Sequence, residues 1–259
     1  MILIRFDNKE YLKELQNGKL FLRTCLYYQQ YDKSDTARSD SFDGSLPLSK
    51  KYLDFSNFGI NGISNSRITD PDSFIKCFYM CFNSEYKQIN PLTWELSLSD
   101  NTINEFKKFG VESALLIFNV YDFINQIKKK CNENKESFLF SPTEYLSNAE
   151  QKEMEETLFK KGKLQSDVSF FKDNTYNGQK ELRVCVKHKV FEKFLKPFKN
   201  TNDGNVIYHV SDEFKEQVYT IDIGQIKNSV IVDTNELFQK KMRIIQVDAD
   251  EYLYAFGEW

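Results

Sequence analysis

Histidine, proline and tryptophan are scarce in these 259 residues: two, five and two respectively. With only His188 and His209 available, no Ser-His-Asp spacing stands out. A structural zinc ion needs four ligands in a tetrahedron. Cys77 and Cys81 are the only close cysteine pair, and no second pair accompanies them, so no metal is expected. The five cysteines, at 25, 77, 81, 131 and 185, are odd in number and mostly lie among apolar neighbours. Reduced, buried thiols in the cytoplasm fit that pattern better than a disulfide framework. No run approaches the ~20 apolar residues that cross a bilayer. The opening Met1-Ile2-Leu3-Ile4-Arg5-Phe6 is too short for a secretory signal and lacks its basic start. The expectation is a cytoplasmic protein with no membrane partner. Excess positive charge is missing too: the net charge is −3 and the pI about 5.6, which excludes a global cationic field for nucleic acid. Lys128-Lys129-Lys130 is the longest basic run and reads as a solvated helix face. There is no Gly-rich phosphate loop, no internal repeat and no Pro- or Ser-rich linker, so residues 1–259 are expected to form a single domain.

What is present is a folding composition, 41% hydrophobic and 28% charged. The 23 phenylalanines and 14 tyrosines foresee an aromatic-heavy core. Residues 2–6 read as a strand and 8–17 as a helix, capped by Asp7 or Asn8 and stopped by Asn17-Gly18. Residues 32–72 are polar and read as long loops with short pieces of structure. The apolar run 74–82 predicts a central strand, and 114–121 a second buried one. Helices are expected over 101–109, 122–131, 144–162, 189–196 and 233–241. Short strands are expected over 168–171, 182–186, 218–223, 229–232 and 243–247. Strands outnumber simple βαβ units and cluster late. The expected class is therefore α+β, with a mixed, largely antiparallel sheet core and flanking helices.

The most specific local feature is Tyr176-Asn177-Gly178-Gln179-Lys180-Glu181, which enters the strand Leu182-Arg183-Val184. Residues two apart on a strand share a face, so Gln179 and Glu181 are expected to project into one cleft. A loop that ends at a strand start suits a rigid carboxylate beside a substrate-reading element.

This turn resembles the aromatic-x-x-Gln/Glu-x-Glu turn of ADP-ribosyltransferases. The resemblance implies that Glu181 stabilises the oxocarbenium-like transition state at the nicotinamide ribose. It gives Gln179 a part in selecting the acceptor, and makes Tyr176 the aromatic that faces it, with Arg183 beside it. It implies NAD as the substrate that supplies ADP-ribose. The family's arginine type carries an Arg on its first core strand, and Arg5 stands in the corresponding place, ahead of a helix and a Gly turn. Arg38 is a second candidate for the NAD phosphates, and Tyr28 is placed with them on the cofactor side. The family's Ser-Thr-Ser-like strand is replaced here by Cys81-Phe82-Asn83-Ser84, of which Ser84 is the stand-in. The chain also resembles a group of uncharacterised bacterial proteins through Asp40-Ser41-Phe42-Asp43-Gly44, Cys81-Phe82-Asn83 and Gln179-Lys180-Glu181-Leu182-Arg183. Together these resemblances imply an ADP-ribosyltransferase-like fold. They imply a toxin or phage-defence effector acting on a nucleic-acid or protein acceptor, with an antitoxin as a possible partner.

Two other readings stay open on the residues alone. One is a non-enzymatic binding module, a phage-defence sensor or inhibitor, with an aromatic patch from Tyr27, Tyr28 and Tyr31. The other is a metal-dependent nuclease built on Asp40, Asp43, Asp54, Lys180 and Glu181. In such nucleases the Lys follows the Glu, whereas Lys180 precedes Glu181. Without a functional role, Glu181 and Arg183 share one sheet face as an ordinary solvated charge pair.

Overall fold

The computed structural model describes residues 1–30, 43–47, 63–64, 67–69, 72–82, 84–161, 167–200, 206–248 and 251–257. The chain opens with β1 (Ile2–Asp7), helix α1 (Lys9–Gln16), β2 (Lys19–Thr24) and a short helix α2 (Cys25–Gln30). Short strands β3 (Ser45–Pro47), β4 (Ile63–Ser64) and β5 (Arg67–Thr69) precede the long β6 (Ser73–Cys81). The hairpin of β7 (Tyr86–Asn90) and β8 (Thr93–Leu96) leads to helix α3 (Asp100–Lys107), β9 (Ser113–Ile117) and helix α4 (Val120–Asn134). After these come β10 (Ser137–Pro142), β11 (Glu144–Leu146), helix α5 (Asn148–Lys161), β12 (Phe171–Asp173) and β13 (Glu181–Lys187). The last third holds β14 (Leu195–Asn200), β15 (Val206–Val210), α6 (Asp212–Lys215), β16 (Val218–Asp222), β17 (Ser229–Asp233), α7 (Thr234–Gln239), β18 (Lys241–Asp248) and β19 (Glu251–Gly257).

The architecture is α+β. An eight-stranded antiparallel sheet runs β10-β13-β6-β1-β9-β17, with β2 and β16 attached to β6. Alternation sends the side chains of each strand to two apolar layers. Leu3, Phe74, Phe78, Leu115 and Val184 join helices α1 and α4 in one core. Ile2, Ile4, Phe6, Tyr79 and Leu116 join Phe106 of α3 and Met242 of β18 in the other. The centre of the sheet is covered on both faces, which is why β1, β6 and β9 read as continuous apolar runs.

One irregularity in this sheet matters for function. Residues 79–81 of β6 pair with β1, whereas Phe74 and Ile75 pair with β2. Between them, Lys76–Phe78 pair with neither strand, so the sheet forks there. Arg5 enters the fork and donates Nη1 to the Cys77 carbonyl, 3.0 Å away.

The start of α1 follows from its cap: the Asn8 side chain accepts from the Glu10 N–H at 2.9 Å. Gly18 ends the turn after it with φ +101°. A Cβ there would lie 2.5 Å from the Gly224 carbonyl oxygen, and backbone cannot yield as a side chain can. Gly18→Ala is therefore expected to cost at least about 2–3 kcal/mol, from left-handed backbone strain plus the clash. Gly110 also has positive φ but open space around its Cβ position, so Gly110→Ala should cost only about 1–2 kcal/mol. Urea unfolding midpoints of the two variants check that order.

Several elements differ from the expectations. Residues 144–146 form strand β11, and the helix starts at Asn148, where Ser147 pairs with Glu150 in a capping arrangement. Residues 168–170 are a 3-10 turn, because Asp167 caps it through the Ser169 N–H. The expected helix 189–196 is a 3-10 segment that passes into β14 through Pro197, at a bulge, where a missing N–H is tolerated. The hairpin β7–β8, and strands β10, β14, β15 and β19, were not expected. Their sequences are partly polar and carry no clean alternation, since several lie at sheet edges or in small sheets. Among the described residues, no helix is long and apolar enough to cross a membrane.

Candidate functional site

Gln179 and Glu181 meet, but not by strand alternation. Asn174–Gln179 is a 3-10 turn capped by Asp173, and Lys180 takes a left-handed conformation (φ 42°) before β13 begins at Glu181. That reversal turns both side chains toward Lys172 of β12. Its ammonium donates to Gln179 Oε1 at 2.6 Å and to Glu181 Oε1 at 3.0 Å. The other Glu181 oxygen accepts from Nε and Nη2 of Arg183, both at 3.2 Å. Arg183 is 0% exposed. Its Nη1 also donates to the carbonyls of Ser169 (2.9 Å) and Phe171 (3.3 Å) and lies 2.8 Å from Asp43 Oδ1. Asp43 Oδ2 lies 3.7 Å from Lys172 Nζ. Two cations and two anions thus form one closed, nearly water-free square. The solvated charge pair foreseen for Glu181 and Arg183 is a buried one. Arg183 has no reach toward an acceptor, because carbonyls and carboxylates occupy its donors from inside the fold.

The cluster fixes the state of Glu181. Burial disfavours its charge, but Lys172 and Arg183 overcome that and hold the carboxyl at about 2. Glu181 is therefore held as a carboxylate well below the ordinary carboxylate range. Its side chain keeps 12% exposure, and that opening faces a pocket.

The pocket is a cavity of about 100 Å³ beside the sheet fork. Arg5, Tyr28, Gln179 and Glu181 line it together with Lys172, and the walls include Tyr79, Phe106 and Phe109. Arg5 is held by Asp7, which accepts from its Nε (3.2 Å) and Nη2 (2.7 Å). With the Cys77 bond, this uses three of the five guanidinium N–H groups, and two have no partner among the described residues. Tyr28 is held neutral, its hydroxyl raised by burial and by the nearby Cys77 thiol. The Cys77 thiol, also on the wall, is pushed up to about 12 by burial and by the Glu181 charge. It is not a nucleophile in that state.

Tyr79 is fixed from behind. Its hydroxyl donates to Glu85 and lies 3.0 Å from Thr102 Oγ1, which itself donates to Glu85 at 2.6 Å. Lys180 Nζ is 3.8 Å from the same carboxylate. Ser84, the stand-in for the family's serine, is exposed in the turn after β6 and is not part of the pocket wall. Its neighbour Glu85 is the buried residue of that turn. Tyr176 does not line the pocket; its ring lies 4.9 Å from the Lys172 ammonium. Arg38 lies outside the described residues, as do Tyr31, Asp40 and Asp54. Tyr27 stacks under Arg23 at 4.4 Å. Of the carboxylates considered for a metal, Asp43 faces Arg183, and among the described residues no group of three His, Cys, Asp or Glu is placed to hold an ion.

Lys172, Asp43's pairing role, Tyr79, Glu85 and Phe106 were not foreseen. Lys172 had a faint signal, a lone cation ending the apolar run Val168–Phe171. Glu85 had none.

Compared with protein-family models, curated proteins and solved structures, the chain matches none. The site must be read from its own geometry.

At the fork, Lys76 shares Asp7 with Arg5 at 3.9 Å and is 13% exposed on its side chain. Burial, then the Arg5 charge, push its ammonium down to about 7, against the pull of Asp7. The unfolded chain, with a lysine near its ordinary value, binds the extra proton between about pH 7 and 10. Stability from this group therefore rises with pH through that window. Lys76→Met should be more stable than wild type at pH 7, by an amount that shrinks toward pH 9. Above that the raised thiols titrate and obscure the trend. Paired urea titrations at pH 7, 8 and 9 check it; a constant difference would refute the assignment.

Proposed function

We propose that this protein is an ADP-ribosyltransferase that uses NAD, of the toxin or phage-defence kind, and modifies a nucleic-acid or protein acceptor. One observation carries the reading: an ionised carboxylate held by three hydrogen bonds, Glu181, stands on the wall of an aromatic, ring-sized pocket that Arg5 also lines. Each part matches a demand of the chemistry. The nicotinamide of NAD is a cationic ring, and Tyr79, Phe106, Phe109 and Tyr28 offer aromatic faces for it. Breaking its bond to ribose builds positive charge on the sugar, and a fixed carboxylate sheltered from water stabilises that charge without reorganising. The two N–H groups left on Arg5 suit a phosphate oxygen.

The forked antiparallel sheet, and the strand, helix and Gly turn that open the chain, support the same family resemblance. The decisive assay is nicotinamide release from NAD, and transfer of labelled ADP-ribose to nucleic acid and to protein, by wild type and Glu181→Gln. Absence of both activities in the wild type, with no NAD-induced thermal stabilisation, would defeat the reading.

A further inference from the structure

Lys172 has no part in the motif that suggested the site, yet it bonds both Gln179 and Glu181 of that motif. Its residue is 6% exposed, and its neighbours come from four directions. Gln179 Oε1 lies at 2.6 Å from the turn, Glu181 Oε1 at 3.0 Å from β13, Asp43 Oδ2 at 3.7 Å from the 43–47 segment, and the Tyr176 ring at 4.9 Å. An ammonium has three N–H groups, and three oxygens surround this one. Two N–H groups bond Gln179 and Glu181 and the Asp43 carboxylate draws the charge from a third side, so it acts through others.

We propose that Lys172 is the positioning residue of this site, locking the Glu181 carboxylate and the Gln179 amide oxygen onto one ammonium so that both meet the pocket in a single geometry. The proposal rests on the preceding reading for what occupies the pocket, but not for the lock itself. The reason is electrostatic and geometric. Arg183 grips only one oxygen of Glu181, so without Lys172 the carboxylate can rotate about its terminal bond. Gln179 places its amide nitrogen 3.4 Å from Glu105 Oε1, and the 2.6 Å bond from Lys172 holds its amide oxygen on the same ammonium as Glu181. The groups facing Glu181 are Lys172 from β12, Arg183 from β13, Asp43, Tyr145 from β11, Cys77 from β6 and Tyr28 from α2. Among the described residues, Lys172 and Arg183 are the cations bonded to Glu181, Arg5 lies elsewhere on the same pocket wall, and Arg183 remains when Lys172 is removed.

The test follows the Glu181 side-chain carboxyl by carbon NMR, assigned with Glu181→Gln, in wild type, Lys172→Arg and Lys172→Met. Losing one opposite charge within about 4 Å should raise the Glu181 titration by at least about one unit. Lys172→Arg should keep it low. Lys172→Met leaves Asp43 and Glu181 facing Arg183 alone and can fail to fold. The double variant Lys172→Met/Asp43→Asn removes one charge of each sign and leaves a neutral Arg183–Glu181 pair, so, compared with Asp43→Asn alone, it isolates the loss of Lys172 in a folded protein. In the nicotinamide-release assay the acid limb of kcat should move up by the same shift, with KM less affected. A merely structural lysine would lower the folded fraction and leave both titration and acid limb in place, and that result overturns the proposal. If wild type releases no nicotinamide, the transferase reading fails, while the NMR titration still decides the role of Lys172.

Discussion

Replacing Arg183 with methionine should cost about 3–5 kcal/mol of folding free energy, the largest loss expected from any single change in this protein. Its guanidinium is wholly buried and serves four oxygens: the Ser169 and Phe171 carbonyls, Asp43 Oδ1, and Glu181 Oε2, the last through two donors. Methionine fills much of the volume but leaves two buried carboxylates with Lys172 as their only cation. The cost is the desolvation of an unmatched negative charge, not the value of an ion pair. Lysine is no substitute, since three N–H groups on a point cannot span oxygens arranged around a plane. Domains are stable by about 5–15 kcal/mol, so the variant would retain only part of its stability. At roughly 2–4 °C per kcal/mol for a chain of this size, its thermal midpoint should fall by about 6–20 °C. A midpoint within a degree or two of wild type would show that the cluster is not closed as described.

The second large effect concerns turnover. Glu181→Gln should lower nicotinamide release by about 10²–10³-fold, the range found when one preorganised electrostatic stabiliser is removed. Glutamine has nearly the same shape and keeps an oxygen for the Lys172 bond, so NAD should still bind, and the loss should appear in kcat. The change also leaves Lys172 and Arg183 with Asp43 as their single anion, so the rate must be taken per folded molecule, with folding followed by circular dichroism. Undiminished release in folded Glu181→Gln would remove this carboxylate from the chemistry. The acid dependence carries the same sign. Glu181 stays ionised in the fold down to about 2, so the stability it contributes is present above the ordinary carboxylate range and is lost as pH falls through that interval.

The turn at 174–181 was legible because aromatic, Gly, Gln and Glu spacing is a local pattern. Its geometry was not. Alternation was expected to bring Gln179 and Glu181 together, and a left-handed Lys180 does it instead. Nothing in a lysine codon announces positive φ; the packing on both sides imposes it. Ser84 illustrates the converse. Matching by motif position selected an exposed serine, while the buried neighbour Glu85 braces the pocket wall through Tyr79. A glutamate carries no mark of burial until Tyr79, Thr102 and Ser99 gather around it.

By itself the sequence determined the α+β class, the apolar strands β1, β6 and β9, the cap and stop of α1, and the residues Arg5, Tyr28, Gln179 and Glu181 that share the pocket wall. The class and the elements depend on periods of two and 3.6, which a chain expresses within a few residues, whereas Arg5 and Tyr28 were picked out by what the family resemblance implies. The tertiary structure alone decided the fork in β6, the closed square of Asp43, Lys172, Glu181 and Arg183, and the places of Ser84 and Arg183 off the pocket wall. Whether a charged side chain is solvated or buried depends on which distant segments arrive beside it, and that is settled by long-range strand pairing.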